Sequence, residues 1–160
     1  MNRKLITLLV TLLLVCNCNI LPVQACNSTA TTIIEPLDNG YYYETTITDE
    51  MPTDTLVSRG SNNYTTKTKT TQLKNSSGAV LWSVSITATF YYNGTIAQCT
   101  SCTPSAKAYT STWSIKSVTS SKNGNSATAT AIATQTGAAG TTQNIPKSVT
   151  ITCNPKGIVS

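Results

Sequence analysis

Cys26, Cys99, Cys102 and Cys153 are the side chains in this sequence best equipped for chemistry. Cys16 and Cys18 fall in an apolar N-terminal stretch that reads as an export signal, and are set aside with it. An even number of cysteines in an exported chain reads as a disulfide framework, and four allow three pairings. Strand parity, developed below, favours Cys99 with Cys153 and leaves Cys26 with Cys102 as a second pair. The rival is a redox pair within Cys99-Thr-Ser-Cys102, which has CxxC spacing. That motif normally draws its low-pKa thiolate from a helix N-terminus, and no helix is expected here. Four thiolates dispersed in this way also lack the paired spacing of a zinc ribbon. No metal and no cofactor are expected.

The sequence holds no histidine, which removes Ser-His-Asp and Cys-His catalysis in their usual forms. The six carboxylates, Glu35, Asp38, Glu44, Asp49, Glu50 and Asp54, all precede residue 59. Beyond that point neither a glycosidase pair nor an oxygen cage for Ca²⁺ or Mg²⁺ can be built. No SxxK or GxSxG pattern supplies an activated serine. No catalytic residue is assigned, and the chain is not expected to be an enzyme.

The elements that must position these residues are strands. From Val80 every second residue is apolar: Val80, Trp82, Val84, Ile86, Ala88, Phe90 and Tyr92. Ser83, Ser85, Thr87 and Thr89 lie between them. A period of two over this length is a strand with one buried face. Asn93-Gly94 then signals a two-residue hairpin turn, which would set Tyr92 opposite Thr95, Phe90 opposite Ala97 and Ala88 opposite Cys99. Cross-strand partners share a face, so Cys99 is placed on the core side and Cys102, an odd number further on, away from it. Alternation through Val149 and Ile151 places Cys153 on the core side too. The bridge between Cys99 and Cys153 would close a long loop, worth about 4 kcal/mol.

Residues 1–25 carry a positive start (Arg3, Lys4), an apolar run too short to span a bilayer, and small residues near Ala25. This is the pattern of a secretory signal peptide. The alternative is a lipid anchor on Cys26, since Val23-Gln24-Ala25-Cys26 loosely matches a lipobox. The predicted location is secreted, with no transmembrane segment in the mature chain. Residues 26–61 hold every acidic group and form an arm, read as a solvated linker. The other readings are an arm held on the basic domain by charge, or a propeptide. From Arg59 onward nine lysines and arginines occur without an acid. This asymmetry is hidden in the bulk net charge of +5.

Residues 62–160 read as about six strands separated by turn signals, the pattern of an antiparallel β-sandwich, immunoglobulin-like or similar. The strands are expected near 64–73, 80–92, 95–99, 109–120, 127–136 and 148–153, with 100–108 a loop. Lys67 and Lys69 suit an edge strand. The row Ala127, Ala129, Ala131, Ala133 alternates with Thr128, Thr130, Ile132 and Thr134, and would let two sheets approach closely. Thr, Ser, Asn and Gly predominate throughout, which disfavours helix.

At KNSSGAVLWSVSITATFYYNGTIAQC and the closing TITCNPKG the chain resembles small secreted Gram-positive bacterial β-rich proteins of uncharacterised function. The resemblance covers about residues 60–157. It implies an export signal, a variable acidic segment and a compact β-domain, and it transfers no activity.

Three function classes follow. The first is a non-catalytic secreted module acting at or outside the cell envelope by binding an anionic wall polymer, a glycan or a protein. The second is a secreted toxin or antibacterial protein that acts on membranes through its alternating strands. The third, sugar binding, needs an exposed aromatic platform. Tyr41, Tyr42, Tyr43 and Tyr91 are the candidates, since Trp82 and Trp113 fall on the core side. The cations are scattered singly without an RNP-like aromatic motif, so no nucleic acid partner is expected.

Overall fold

The computed structural model describes residues 31–49 and 63–160. The predicted signal segment, Cys26 and the carboxylates Glu50 and Asp54 lie outside the described residues. Eight strands are formed: β1 (Thr31–Pro36), β2 (Tyr42–Asp49), β3 (Tyr64–Lys74), β4 (Val80–Tyr92), β5 (Ala97–Ala108), β6 (Trp113–Asn123), β7 (Ser126–Thr136) and β8 (Thr142–Thr152). They make two antiparallel sheets, a larger one ordered β1-β2-β3-β4-β5 and a smaller one ordered β6-β7-β8. Two short 3-10 turns are the only helical elements among the described residues.

Alternation builds the core. Trp82, Val84, Ile86, Ala88 and Phe90 of β4 are all buried, and so are Ala127, Ala129, Ala131 and Ala133 of β7. The two rows belong to one apolar cluster, with Val149 and Ile151 of β8 beside them. Small alanines on one sheet leave room for the large side chains of the other. The Trp82 and Trp113 rings stack across the sheets with centroids 6.2 Å apart, and Tyr43 meets Trp82 edge-on. The outer faces carry the hydroxyls, paired across strands as Thr66–Thr89, Thr68–Thr87, Thr128–Thr150 and Thr130–Ser148.

Five sequence expectations are corrected. The acidic arm is not a linker: it supplies β1 and β2, two strands of the larger sheet. Glu35 bonds Lys147, Glu44 bonds Lys74 and Asp49 bonds Lys67, so its acids meet the lysines of the basic part. Ion pairs near the surface add little stability, but these match the arm to its register, where Asp49 lies directly opposite Lys67. In consequence β3 is flanked on both sides, and Lys67 and Lys69 do not mark a sheet edge.

The hairpin loop spans residues 93–96 rather than two residues. The Asn93 side-chain oxygen accepts the N–H groups of Thr95 and Ile96, each at 3.0 Å, while the Asn93 N–H donates to Ile96 O. An Asx-type closure has thus replaced the tight turn. Tyr92 pairs with Ala97 and Phe90 with Cys99. The shift is an even number of residues, so Cys99 keeps its core-facing side and is buried.

Residues 100–108, expected as a loop, continue β5, where Pro104 is tolerated because β5 is an outer strand of its sheet. The register slips at Thr89/Phe90, so that Thr89 faces Ser101 while Phe90 faces Cys99. Thr100 is the extra residue of a β-bulge. The bulge cancels the odd spacing, placing Cys102 opposite Ala88 and on the core side with Cys99. The expectation that Cys102 points away from the core is overturned.

Candidate functional site

The larger sheet has two strands more than the smaller one, and the difference makes a shelf. β8 packs against β3 and β4, and β6 and β7 against β5. The inner face of β1 and β2 therefore projects past the edge of β8. Register with β3 puts Tyr43, Thr45, Ile47 and Asp49 on that inner face, and register with β1 adds Glu35, Ile33 and Thr31. Ile33 is 55% exposed although it faces inward.

Each end of the shelf is closed. At one end Lys147 of β8 reaches across, with its ammonium 3.9 Å from the Tyr43 ring centroid and 2.8 Å from Glu35 Oε2. Burial first, and then the Glu35 carboxylate, push the Tyr43 phenol up. Tyr43 therefore stays neutral beneath the cation. At the other end segment 154–160 doubles back on β8. Asn154 Oδ1 accepts the N–H groups of Lys156 and Ile158. Thr152 and Ser160 then exchange N–H···O bonds at 3.0 and 2.9 Å.

Between these ends lie two adjoining depressions of about 220 and 350 Å³. Ile33, Ile47, Lys69, Thr150, Thr152 and Val159 line the larger. Because Thr152 turns its N–H and C=O toward Ser160, away from β7, antiparallel alternation turns those of Thr150 and Ser148 the same way. The close hydroxyl contacts Thr128–Thr150 and Thr130–Ser148, both 2.8 Å, fit non-hydrogen-bonded pairs with β7. Among the described residues, two residues of β8 thus present a free backbone ladder beside an apolar floor. Lys69 stands in that floor without an ion-pair partner among the described residues, and burial holds its ammonium below the usual lysine range. The arrangement can receive an extended chain, shield its apolar side chains and bind a carboxylate.

Segment 154–160 depends on Gly157. Its φ is +82°, and a Cβ there would fall 2.4 Å from Tyr92 Cζ. Gly157→Ala is expected to lift the segment from β8 at a cost of about 1–2 kcal/mol. Hydrogen exchange checks this: the amides of Thr152 and Ser160 should lose protection together while those of β4 keep theirs.

The residues expected from sequence to form a binding platform are not gathered. Tyr43 is buried in the core, and Tyr42 alternates to the opposite face. Tyr41 precedes β2 and accepts the Leu37 N–H through its carbonyl. Tyr91 lies on the outer face against Tyr64, with ring centroids 5.4 Å apart. Of the cysteines, Cys99 and Cys102 are brought together, while Cys153 is buried and donates to Asn154 O at 3.4 Å. No disulfide joins these three among the described residues. Ile33, Ile47 and Val159 are not singled out by sequence, and Lys69 only as an edge-strand lysine; the β-branched runs TTII and TTIT are the available signal. No helix among the described residues is long and apolar enough to cross a membrane. The chain matches no family model, no curated protein and no solved structure.

Proposed function

We propose that this chain is an exported, non-catalytic β-sandwich module that binds an extended segment of a partner protein at or outside the cell envelope. The observation that carries the reading is the shelf of β1 and β2 beside the free ladder of Ser148 and Thr150. Strand addition to an open sheet edge draws affinity from main-chain hydrogen bonds and specificity from side-chain pockets. The β8 edge already accepts a strand in this way, since residues 158–160 pair with it. Pro146 and Lys147 limit the addition to the stretch beyond them, as such residues do on sheet edges. The ligand segment is accordingly short. Along its floor-facing side, at every second position, it carries β-branched or other apolar residues over Ile33 and Ile47 and an acidic residue for Lys69. Export rests on the pattern of residues 1–25.

Selection from a display library of short linear peptides on the purified protein tests the reading. Enriched peptides should carry apolar residues and a carboxylate two residues apart, on one face of the strand, and their binding should protect the amides of Ser148 and Thr150. Lys69→Met should weaken the selected peptide by at least about tenfold, or 1.4 kcal/mol. The same substitution should raise the stability of the unliganded protein. The sign follows from the lowered pKa: at neutral pH the folded state holds a charge that the unfolded state holds more easily. That penalty is full below the folded pKa and fades as pH rises through it toward the unfolded value. Peptides that bind Lys69→Met equally well would overturn the proposal. So would tight binding to isolated wall polymer or glycan that leaves the β8 amides unchanged.

A further inference from the structure

We propose that Cys99 and Cys102 form a reversible intrastrand disulfide, a thiol–disulfide exchange site created by the bulge at Thr100. In a regular strand residues three apart face opposite ways. Here the two cysteines stand opposite Phe90 and Ala88, which are two residues apart on one face of β4. Two strand residues span about 6.6 Å, near the upper limit of about 6.8 Å that a disulfide bridges between Cα atoms, so the bond closes with a small inward shift of the bulge. The two thiols are close enough for Cys102 to act on the Cys99 thiol directly, while the Cys99 S–H donates to Ser101 O at 3.3 Å. The bulge itself is held from two sides. Lys122 Nζ donates to Thr100 O at 2.5 Å, and Cys99 N–H donates to Gly124 O at 2.8 Å.

Exposure assigns the roles. Cys99 is 4% exposed, whereas Cys102 is only half-buried and lies on an outer strand of its sheet. A low-molecular-weight disulfide therefore meets Cys102 first. The Cys102 thiolate attacks one sulfur of the reagent, forming a mixed disulfide and releasing one thiolate. Cys99 then gives up its proton, attacks the Cys102 sulfur and displaces the second thiolate. The two protein thiols lose two electrons and two protons, and the reagent leaves as two thiols. A small dithiol runs the sequence backwards. The inference does not draw on the shelf or its ligand.

Peptide mapping after oxidised glutathione, with free thiols blocked by alkylation and no reductant, tests this on the unaltered protein. Trypsin leaves both cysteines in the single peptide 75–107. The expected product is that peptide alone, lighter by two hydrogens, resistant to alkylation and restored by dithiothreitol. Cys153→Ser should leave the result unchanged, and Cys102→Ser should abolish it. A join between peptides 75–107 and 148–156 would show the Cys99–Cys153 bridge and overturn the inference. A join to the peptide ending at Arg59 would assign the partner to Cys26 and do the same, as would full alkylation of Cys99 and Cys102.

Discussion

Trp82→Ala is expected to remove about 3–5 kcal/mol of stability, as truncation of a buried tryptophan does. Small proteins are stable by only about 5–15 kcal/mol, so this change alone takes a large share. The position is where three elements meet. Trp82 is 1% exposed, stacks on Trp113 of the smaller sheet and takes the edge of Tyr43 from the arm. Its loss leaves a cavity between the sheets, bounded by Trp113 and Tyr43. Those rings would have to leave their packed positions to fill it. Trp82→Phe is the control. The indole Nε1 is buried without a hydrogen-bond partner among the described residues, and an unsatisfied buried donor costs about 1–3 kcal/mol. Phenylalanine removes that donor while keeping an aromatic face toward Trp113, so its cost should be well below that of alanine. Urea unfolding followed by far-UV circular dichroism measures both midpoints. Equal losses for the two variants would show that ring stacking does not hold the sheets together.

The inner rows of β4 and β7 were legible because period-two alternation is strong there: tryptophan, isoleucine and phenylalanine, or an unbroken set of alanines, against hydroxyls. Parity also carried Cys99 and Cys153 to buried positions even though the loop at 93–96 was longer than expected, since an even shift preserves the face. Cys102 failed for the complementary reason. A single inserted residue at Thr100 inverts parity, and neither glycine nor any other special residue marks the bulge. The arm reads as a linker because, Tyr42 and Tyr43 apart, β1 and β2 are mostly threonine, isoleucine and acids. β2 draws its strand character from pairing with β3, a partner across the intervening segment 50–62, and β1 from pairing with β2. The β-branched runs TTII and TTIT mark strands but not the shelf. The shelf exists because five strands face three, which is a property of the sheet arrangement. Lys69 illustrates the point. Its sequence context reads as a solvated strand, and only the placement of β2 beside β3 turns it into a half-buried cation between Ile47 and Ile86.

Ala131→Leu is expected to destabilise the protein by about 2–3 kcal/mol, the upper part of the range for overpacking a filled core. Ala127, Ala129, Ala131 and Ala133 are each at most 1% exposed, and β7 is the middle strand of its sheet. It faces β4 and β5 of the larger sheet, so the side-chain depth available over this row is one methyl group. A leucine there must force the sheets apart or leave its rotamer well, and it cannot turn outward because strand parity fixes its direction. Moving the sheets apart would also strain the Trp82–Trp113 stack, which spans the same interface. Thr130→Leu adds the same kind of side chain one residue away, on the outer face. Its cost should stay within a few tenths of a kcal/mol of what loss of one exposed hydroxyl pair with Ser148 implies, about 0.5–1.5 kcal/mol. Comparing the two urea midpoints isolates the effect of depth from that of leucine itself. If Ala131→Leu proved as stable as Thr130→Leu, the alanine row would not be what sets the spacing between the sheets.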